Sequence, residues 1–588
     1  MAANSLSNHE IAELIRHVAA VYSTQGDVNP FRIKAYDAAA NSIDQTSTPL
    51  FELWQDKQLE TVPGLGKTII GHLEEIFTTG KATHFETVLK EVPAGFFPLV
   101  DLPGIGPKMA IKLATTLSLT DGATALSKVK EAATLGKLNG LPGISTVMEK
   151  KILDIVSQPK SDLPHRNLLY SSLEIAETLK TYLLLSSAIS QCEVLGSLRR
   201  RLPTTGDVDL AVCASDAGVV IEHLHKYPLF TKAISSGEKT LAIYLKGGIR
   251  VDLKLSTPEQ WGSLLQHYTG SKLHNIHLRT IALEKGMSLS EFGIKKDGEL
   301  QNYADEKEFY HALGMDWIPP ELRENVGEIE AAIAQKLPHL IELEDIRGDI
   351  HMHTNLDFPT SHDMGESSIA ELLAKAEELK YSFIGFSDHN PKRSGLDEKG
   401  RFEAVKKRNE QIDEEVQKYF GKREPTLKVF KGLEVDILTT GELALEDEAL
   451  ELLDYAIVSV HSSFANDRET NTQRILKGLA HPKVKLLGHP TGRLIEKRKG
   501  LEADWEKIAQ FCADSGKFLE INSAPDRLDF PYDMVKNVKK TGVKFFINTD
   551  SHHVAGLDLM KFGVWTARKG WLTKKDVVNT DENFLSGR

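Results

Sequence analysis

Seven short apolar runs between residues 349 and 552 each end in side chains that commonly bind metal, and this repeated pattern constrains the fold more than any other feature. Segments with helical spacing separate the runs, which predicts alternating strands and helices. The runs are 349–353, 386–389, 432–436, 457–461, 487–489, 520–522 and 548–552. In a TIM-like barrel the strands end on one open face, so their acids and histidines would converge there. Imidazole and carboxylate together suit Zn²⁺ or Mn²⁺.

A second group of chemical residues lies between residues 196 and 252. A glycine–serine turn with two arginines, 196–200, precedes Asp207 and Asp209, which stand two residues apart on a predicted strand and therefore share one face. Asp252 lies on another predicted strand, 249–253. Three clustered carboxylates repel one another unless cations lie between them. Two Mg²⁺ ions beside a phosphate-binding turn are the apparatus of phosphoryl or nucleotidyl transfer.

The first 160 residues are predicted to be helices joined by short turns. Two similar segments, 62–67 and 102–108, each precede an amphipathic helix, and 141–145 is a poorer third copy. Their glycines allow a phosphate to approach the backbone, and the amides of the next helix point at it. They resemble helix-hairpin-helix elements, which bind the DNA backbone without reading bases. The candidate contacts are Gly64, Gly66, Lys67, Gly104, Gly106 and Lys108.

Composition limits the class of protein. A chain of 588 residues predicts several domains. The net charge of −12 argues against one large DNA-binding surface, so contact with nucleic acid should be local and metal-assisted. Three widely spaced cysteines, a polar start and the lack of a long apolar run predict a cytoplasmic protein that has no membrane partner.

Residues 196–209 and 250–252 resemble the palm of family X DNA polymerases, the nucleotidyltransferases that include DNA polymerase beta. The similarity continues through 268–271, 275–279 and 282–286. The resemblance implies that Asp207 and Asp209 bind both metals. Asp252 would bind the catalytic metal and accept the proton of the primer 3′-hydroxyl. His267 replaces one residue of the usual aromatic pair, which bears on sugar discrimination but not on the chemistry.

The same resemblance assigns the incoming nucleotide. Ser197 and Arg200, with the turn at Gly196, would hold the triphosphate. Tyr268 and Gly270 would line the sugar. Nearby on the chain, Asn275 and Arg279 would lie near the nascent base pair and the template.

Residues 349–552 resemble a PHP domain, a trinuclear phosphoesterase. By this resemblance one metal is held by His351, His353, Glu434 and Asp550. Glu434 also bridges to a second metal on His461 and His489. His389 and His552 hold a third metal, completed by Asp363 or His362, and less plausibly by Asp357. Cations there would activate water for attack on a phosphodiester.

A palm followed by a PHP domain is the layout of bacterial family X polymerases. It implies a DNA-directed DNA polymerase that fills short gaps in base excision repair. The family's PHP domain is a 3′–5′ exonuclease linked to processing of abasic sites and blocked 3′ ends. We expect two Mg²⁺ or Mn²⁺ ions in the palm, up to three Mn²⁺ or Zn²⁺ ions in the PHP domain, and a monomer that uses dNTPs and gapped or primed duplex DNA, associated with the nucleoid when bound.

The expected fold is multidomain: helical N-terminal domains, an α/β palm with a helical thumb, and a distorted TIM-like barrel. The predicted domains are a DNA-binding domain with the first hairpin (1–92), a fingers-like domain with the second (93–158), the palm (159–258), the thumb (259–318), a linker (319–345) and the PHP domain (346–588). Within the linker, residues 324–343 are predicted to be helical and acidic.

Two alternatives compete with this interpretation. A template-independent nucleotidyltransferase with a separate phosphoesterase domain would have no need for the two hairpins or for Asn275 and Arg279. A DNA-end-binding scaffold with inactive sites would not retain all three palm acids and nearly every PHP ligand.

Overall fold

A computed structural model gives the fold. It describes residue 6 and residues 8–25, 30–45, 50–55, 57–62, 64–102, 105–141, 144–157, 167–214, 216–236, 239–246 and 249–583. The chain divides into two compact units, 1–165 and 166–588. Among the described residues no helix is long and apolar enough to cross a membrane.

The described part of the first unit is helical and shares one apolar core. Its helices are α1 (Asn8–Thr24), α2 (Pro30–Gln45), α3 (Leu50–Gln55), α4 (Lys67–Thr79), α5 (Thr83–Leu89), α6 (Phe96–Val100), α7 (Pro107–Thr116), α8 (Gly122–Thr134) and α9 (Thr146–Ser157), with a 3₁₀ turn at Leu59–Thr61. The apolar residues Ile11, Ile15 and Val18 recur at helical spacing and are buried. Pro63, Pro103, Gly104, Pro142 and Gly143 of the predicted hairpins lie outside the described residues.

The second unit begins with an α/β layer, the predicted palm. Its elements are β1 (Asn167–Leu168), α10 (Leu169–Leu183), β2 (Ile189–Val194), α11 (Gly196–Arg199), β3 (Thr204–Thr205), β4 (Val208–Ala214), α12 (Ala217–Leu224), β5 (Phe230–Ser236), β6 (Thr240–Leu245) and β7 (Arg250–Ser256). The five-stranded sheet has the order β2-β4-β7-β6-β5, and only β4 and β7 are parallel. Sequence patterns predicted β2, β4, β6 and β7 but missed the edge strand β5.

The predicted thumb follows. It contains α13 (Trp261–Thr269), α14 (Lys272–Glu284), β8 (Met287–Ser290), β9 (Gly293–Lys296), β10 (Glu299–Gln301) and α15 (Glu306–Ala312), preceded by a 3₁₀ turn at Pro258–Gln260. The short β segment expected near Phe292 is an antiparallel three-stranded sheet. At Gly262, α13 packs closely against the start of α15. A Cβ at this position would lie 2.3 Å from the Asp305 carbonyl carbon, so the contact requires glycine.

The prediction of a helical stretch across 324–343 is wrong. Only α16 (Glu328–Ile333) is α-helical there, between 3₁₀ turns at Pro320–Leu322 and Leu343–Asp345. Gly327, with φ +106°, prevents the helix from starting earlier. The segment is not an exposed tether, because Leu322, Arg323 and Ile329 are buried, with Leu322 and Ile329 in the apolar cluster that includes Phe309 of α15.

The last 240 or so residues form a parallel sheet whose strands follow one another in chain order. The strands are β11 (Gly348–Asp349), β12 (Phe383–Phe386), β13 (Lys428–Asp436), β14 (Tyr455–Ser459), β15 (Val484–Leu487), β16 (Phe518–Asn522) and β17 (Lys544–Asn548). The helices are α17 (Ile369–Glu378), α18 (Glu398–Phe420), α19 (Asp447–Leu450), α20 (Arg468–Leu479), α21 (Trp505–Ser515), α22 (Tyr532–Val538) and α23 (Met560–Lys569), with 3₁₀ turns at Lys539–Thr541, Val554–Leu559, Lys574–Asp576 and Val578–Thr580.

The first and last strands of this sheet meet just beyond their ends. Met352 forms a parallel bridge with Ser551, and the His353 amide donates to the Ser551 carbonyl over 2.8 Å. The sheet is thus a nearly closed barrel, which confirms the predicted TIM-like class. The carboxyl ends of all seven strands, which carry the predicted metal-binding side chains, lie on the same rim of the barrel.

Candidate active sites

The palm acids lie on the two parallel strands. Asp209 of β4 and Asp252 of β7 are register partners, and Asp207 immediately precedes β4. The turn at Gly196 packs directly on Asp209, since a Cβ at Gly196, where φ is +55°, would lie 2.8 Å from Oδ2 of that aspartate. The Leu195 amide donates to the Asp209 carbonyl over 2.9 Å. The predicted phosphate-binding turn and the acids therefore share one site.

The charges of this site favour a cation. Burial, and next the neighbouring Asp252, raises the pKa of Asp209 to about 7. Arg250 forms a 3.2 Å ion pair with Asp252, and the described acids of the palm are not among the groups whose ligand atoms lie within 4.8 Å of one another. A buried carboxylate that resists ionisation beside a second acid fits the two divalent cations that the sequence predicts, because bound cations would supply positive charge.

Lys254 also belongs to this site and was missed. It is buried on the same face of β7 as Asp252, with Nζ 5.2 Å from the centroid of the Tyr268 ring. The alternation of Arg250, Asp252 and Lys254 along one strand was the available sequence signal.

The predicted nucleotide residues surround the same turn. Ser197 lies in α11, and Arg200 follows it, with Nη1 donating to the Thr269 carbonyl over 2.5 Å and Nε to Glu324 over 3.1 Å. A Cβ on Gly270, where φ is +65°, would lie 3.2 Å from Nη1 of Arg200. Tyr268 thus stands one residue before the backbone that Arg200 contacts, at the end of α13.

Asn275 and Arg279 lie one turn apart on α14 and are half-buried. Asn275 donates to the His267 carbonyl over 2.7 Å and accepts from Gln266 over 3.0 Å. This pair of hydrogen bonds fixes α14 against the end of α13.

In the barrel, the two predicted metal groups that share Glu434 form compact clusters. The ligand atoms of His351, His353, Glu434 and Asp550 lie within 4.8 Å of one another, and so do those of Glu434, His461 and His489. Glu434 is the shared member: its two carboxylate oxygens face opposite groups, Oε2 lying 3.2 Å from Nε2 of His351 and Oε1 2.8 Å from Nε2 of His489.

Asp363, one of the predicted ligands of the third metal, lies close to both histidines of that group. Oδ1 of Asp363 lies 3.6 Å from Nε2 of His389, and Oδ2 lies 3.4 Å from Nε2 of His552. His362 instead contacts Asp436 over 3.0 Å, although its ring also groups with those of His389 and His461.

The donor atoms of these clusters fit metal ions. Buried atoms without a hydrogen-bond partner in the described part of the chain include Nε2 of His351, Nδ1 of His353, Nδ1 of His489, Nε2 of His552 and Oε2 of Glu434. Buried polar atoms are almost always paired, so this concentration of unpaired atoms on one rim indicates the places of cations. Burial opposes ionisation of Glu434, but the surrounding histidines outweigh it and hold its pKa well below the usual range.

Two acids that orient the ligands were not given a role from the sequence. Glu520 accepts from Nδ1 of His351 over 2.7 Å and from the His489 amide over 2.5 Å. Asp436 contacts Nδ1 of His461 over 2.6 Å. Such second contacts fix the tautomer and direction of a histidine ligand. Asp436 ends β13 two residues after Glu434, and Glu520 lies near the end of β16; these positions were the available sequence signal.

A cationic side chain also borders the rim. Nε of Arg527, in the loop after β16, lies 3.9 Å from Oδ2 of Asp550. Arg527 forms no other ion pair with the described residues. Its guanidinium therefore has donors left for a further anion.

The hairpin residues are exposed where the structure describes them. Gly64, Gly66 and Lys67 are exposed before or at the start of α4, and Gly106 and Lys108 are exposed at the start of α7. A Cβ on Gly66 or Gly106 would meet nothing within 4 Å. Both helices therefore begin at open backbone.

Three family models match this chain. A helix-hairpin-helix domain matches residues 6–82, the DNA polymerase beta thumb matches 264–324, and the PHP domain matches 349–524. A beta-type polymerase core joined to a PHP domain is the class that the fold, the sites and these matches define.

Relatives narrow this class. The chain is 33% identical over 577 residues to the DNA polymerase/3′-5′ exonuclease PolX of Bacillus subtilis (strain 168), covering 97% of each chain. This chain belongs to the PolX family of family X DNA polymerases. Proteins named "probable phosphatase" match it more weakly: one from Thermoanaerobacter sp. (strain X514) is 27% identical over 40% of this chain and 90% of its own, and one from Syntrophotalea carbinolica is 23% identical over 30% of this chain and 65% of its own.

Proposed function

We infer that this chain is a DNA-directed DNA polymerase with a separate 3′–5′ exonuclease site. The observation that carries this inference is the presence, in one chain, of an acidic palm site beside a phosphate-binding turn and a histidine-rich barrel site. The similarity to PolX over 97% of both chains supports assigning both activities to one protein. We propose that it fills short gaps in DNA repair, including base excision repair.

In the palm, Asp207, Asp209 and Asp252 would hold two Mg²⁺ or Mn²⁺ ions. When bound, such ions neutralise triphosphate charge and lower the pKa of the primer hydroxyl. Asp252, on the strand paired with that of Asp209, would accept the proton of that hydroxyl. Arg200 and Ser197 would orient the triphosphate of a dNTP.

In the barrel, the three histidine–carboxylate groups would hold Mn²⁺ or Zn²⁺. When bound, these ions activate water and neutralise a phosphodiester. Glu520 and Asp436 would keep their histidines in the ligating orientation. The same site would also process abasic sites and blocked 3′ ends, because cleavage at these lesions is likewise hydrolysis of a phosphoester bond.

A labelled primer on gapped DNA tests the two activities. With dNTPs and Mg²⁺ or Mn²⁺ the primer should grow by the length of the gap, and without dNTPs it should shorten from its 3′ end. Addition that ignores the template base would favour the template-independent nucleotidyltransferase, and no change in primer length would favour an inactive scaffold.

We also propose that the protein works as a monomer in the cytoplasm, close to the chromosome, because this location suits gap filling.

We expect Gly66→Val or Gly106→Val to weaken DNA binding by about 10- to 100-fold, the worth of hydrogen bonds to a charged phosphate. The side chain would occupy open space, so the fold should survive while the phosphate is excluded. Fluorescence anisotropy on two unrelated duplexes measures the effect. Gly71→Val is the control, because Gly71 lies within α4, the helix that Gly66 precedes, and a Cβ there is also unobstructed. A loss confined to one of the duplexes would contradict backbone binding.

Arg527→Gln should lower exonuclease activity about 10- to 100-fold by removing a donor to the substrate phosphate. Gap filling should be unchanged. Arg423→Gln is the control and should keep the parental exonuclease activity, because Arg423 pairs with Glu377 over 3.3 Å and contacts none of the ligand clusters. Arg527→Lys should recover part of the activity. In Arg527→Ala, which lacks the guanidinium group, added guanidinium ion should restore part of the exonuclease activity. Failure of this rescue would rule out a direct phosphate contact.

A further inference from the structure

The last helix of the PHP domain, α23, packs on the polymerase half of the second unit. Phe562 is buried in the apolar cluster of the palm, together with Leu210 and Leu253. The guanidinium carbon of Arg201 lies 4.1 Å from the centroid of the Trp565 ring. This helix therefore contributes to the palm core. Its contact with Arg201 lies next to Arg200 in the chain.

The final residue of α23 makes a polar contact with that turn. The Lys569 side chain is 1% exposed. Its Nζ donates to the Arg200 carbonyl over 3.0 Å, to the Glu321 carbonyl over 3.1 Å and to Oε1 of Glu324 over 3.0 Å. Three acceptors satisfy the three donors of the ammonium group.

Glu324 connects this lysine to Arg200. The same oxygen, Oε1, also accepts from Nε of Arg200 over 3.1 Å. The Arg200 and Glu324 side chains are only 12% and 21% exposed, so water screens their attraction weakly. Lys569, Glu324 and Arg200 together carry one net positive charge, whereas Glu324 and Arg200 alone would carry none.

We propose that Lys569 is a positioning residue for DNA synthesis: by neutralising Glu324, it keeps the charge of Arg200 available to the triphosphate of the incoming dNTP. Without Lys569, the carboxylate would compete with the triphosphate for the guanidinium. The nucleotide affinity of the polymerase site then depends on a side chain of the exonuclease domain. This inference rests on the proposed polymerase function and on the predicted role of Arg200.

Lys569→Met in the full chain tests the proposal. Steady-state gap filling should show a KM for dNTP raised about tenfold with kcat nearly unchanged, the size expected for a weakened charged contact. Exonuclease activity should be unaffected. Arg568→Met is the matched control: it removes the adjacent cation of the same helix, which binds Glu321 over 2.8 Å and the Ile341 carbonyl over 3.0 Å but not Glu324. That control should leave the KM unchanged.

A second substitution separates charge from packing. Glu324→Gln in the Lys569→Met background should return the KM to the parental value, because the competing anion is gone. Glu324→Gln alone should bind dNTP at least as tightly as the parent, and Lys569→Arg should retain a near-parental KM, so the test survives if Lys569→Met does not fold. The proposal is overturned by an unchanged KM in Lys569→Met, an equal rise in Arg568→Met, or no rescue by Glu324→Gln.

Failure of the underlying function would look different. Arg200→Gln should raise the KM for dNTP. If it does not, the role of Arg200 is wrong whatever Lys569 does. If the parent chain extends no primer, the polymerase function itself is wrong.

Discussion

Asp252→Ala should reduce DNA synthesis by several orders of magnitude while the chain still shortens primers at the parental rate. Asp252 lies opposite Asp209 on the adjacent parallel strand, so its removal takes a ligand and the proton acceptor from the palm. Burial is the main cause of the raised pKa of Asp209 and repulsion from Asp252 adds to it, so the change removes an unfavourable contact and the fold should not suffer. Primer extension and primer degradation, measured separately on the same protein sample, check both statements.

Asp207→Ala should behave in the same way. Asp216→Asn is a suitable control, because Asp216 caps α12 within the palm and its amide replacement can still accept from the Gly218 amide. Loss of degradation together with synthesis in either palm variant would refute the independence of the two sites.

The reciprocal change, His351→Ala with His353→Ala, should silence the exonuclease and spare gap filling. These histidines are fully buried on one rim and face both Glu434 and Asp550. Their loss removes half of a four-residue ligand group. The purified variant should therefore also contain less bound metal than the parent, which elemental analysis measures without reference to activity.

His553→Asn provides the comparison for this variant. His553 is exposed beside His552 but belongs to none of the described ligand clusters, and asparagine can still cap the turn at Ala555. It should keep both its metal and its activity. An exonuclease that survives the double histidine change would place hydrolysis outside the barrel rim.

Much of the barrel site could be predicted from the sequence, because parallel strands that follow one another in chain order determine which side chains lie on the rim. Every parallel strand ends on the same rim, so Glu434, His489 and Asp550 could be grouped before their distances were known. In the palm, the spacing of two residues predicted that Asp207 and Asp209 share one face, and the resemblance to the polymerase palm added Asp252. The sequence left Asp363 and His362 as alternatives for the third group, because residues 350–368 lie outside helices and strands and have no periodicity that fixes the direction of a side chain.

Contacts between distant segments were the part that sequence could not supply. The bond between Lys569 and the Arg200 carbonyl joins residues 369 positions apart. No spacing rule predicts such a pair, and Arg200 alone suggested only a phosphate contact. The edge strand β5 was missed for a simpler reason: its run Phe230–Ser236 contains threonine, lysine and serine, with weak apolar alternation.

Closure of the barrel fixes when a newly made chain can degrade DNA. The ligand group around Glu434 takes His351 and His353 from just after the first strand and Asp550 from just after the last, and the bridge from Met352 to Ser551 joins these ends. A ribosome must therefore release nearly the whole polypeptide before the hydrolytic centre exists. Premature termination anywhere before residue 550 therefore yields a chain that lacks one ligand of this group.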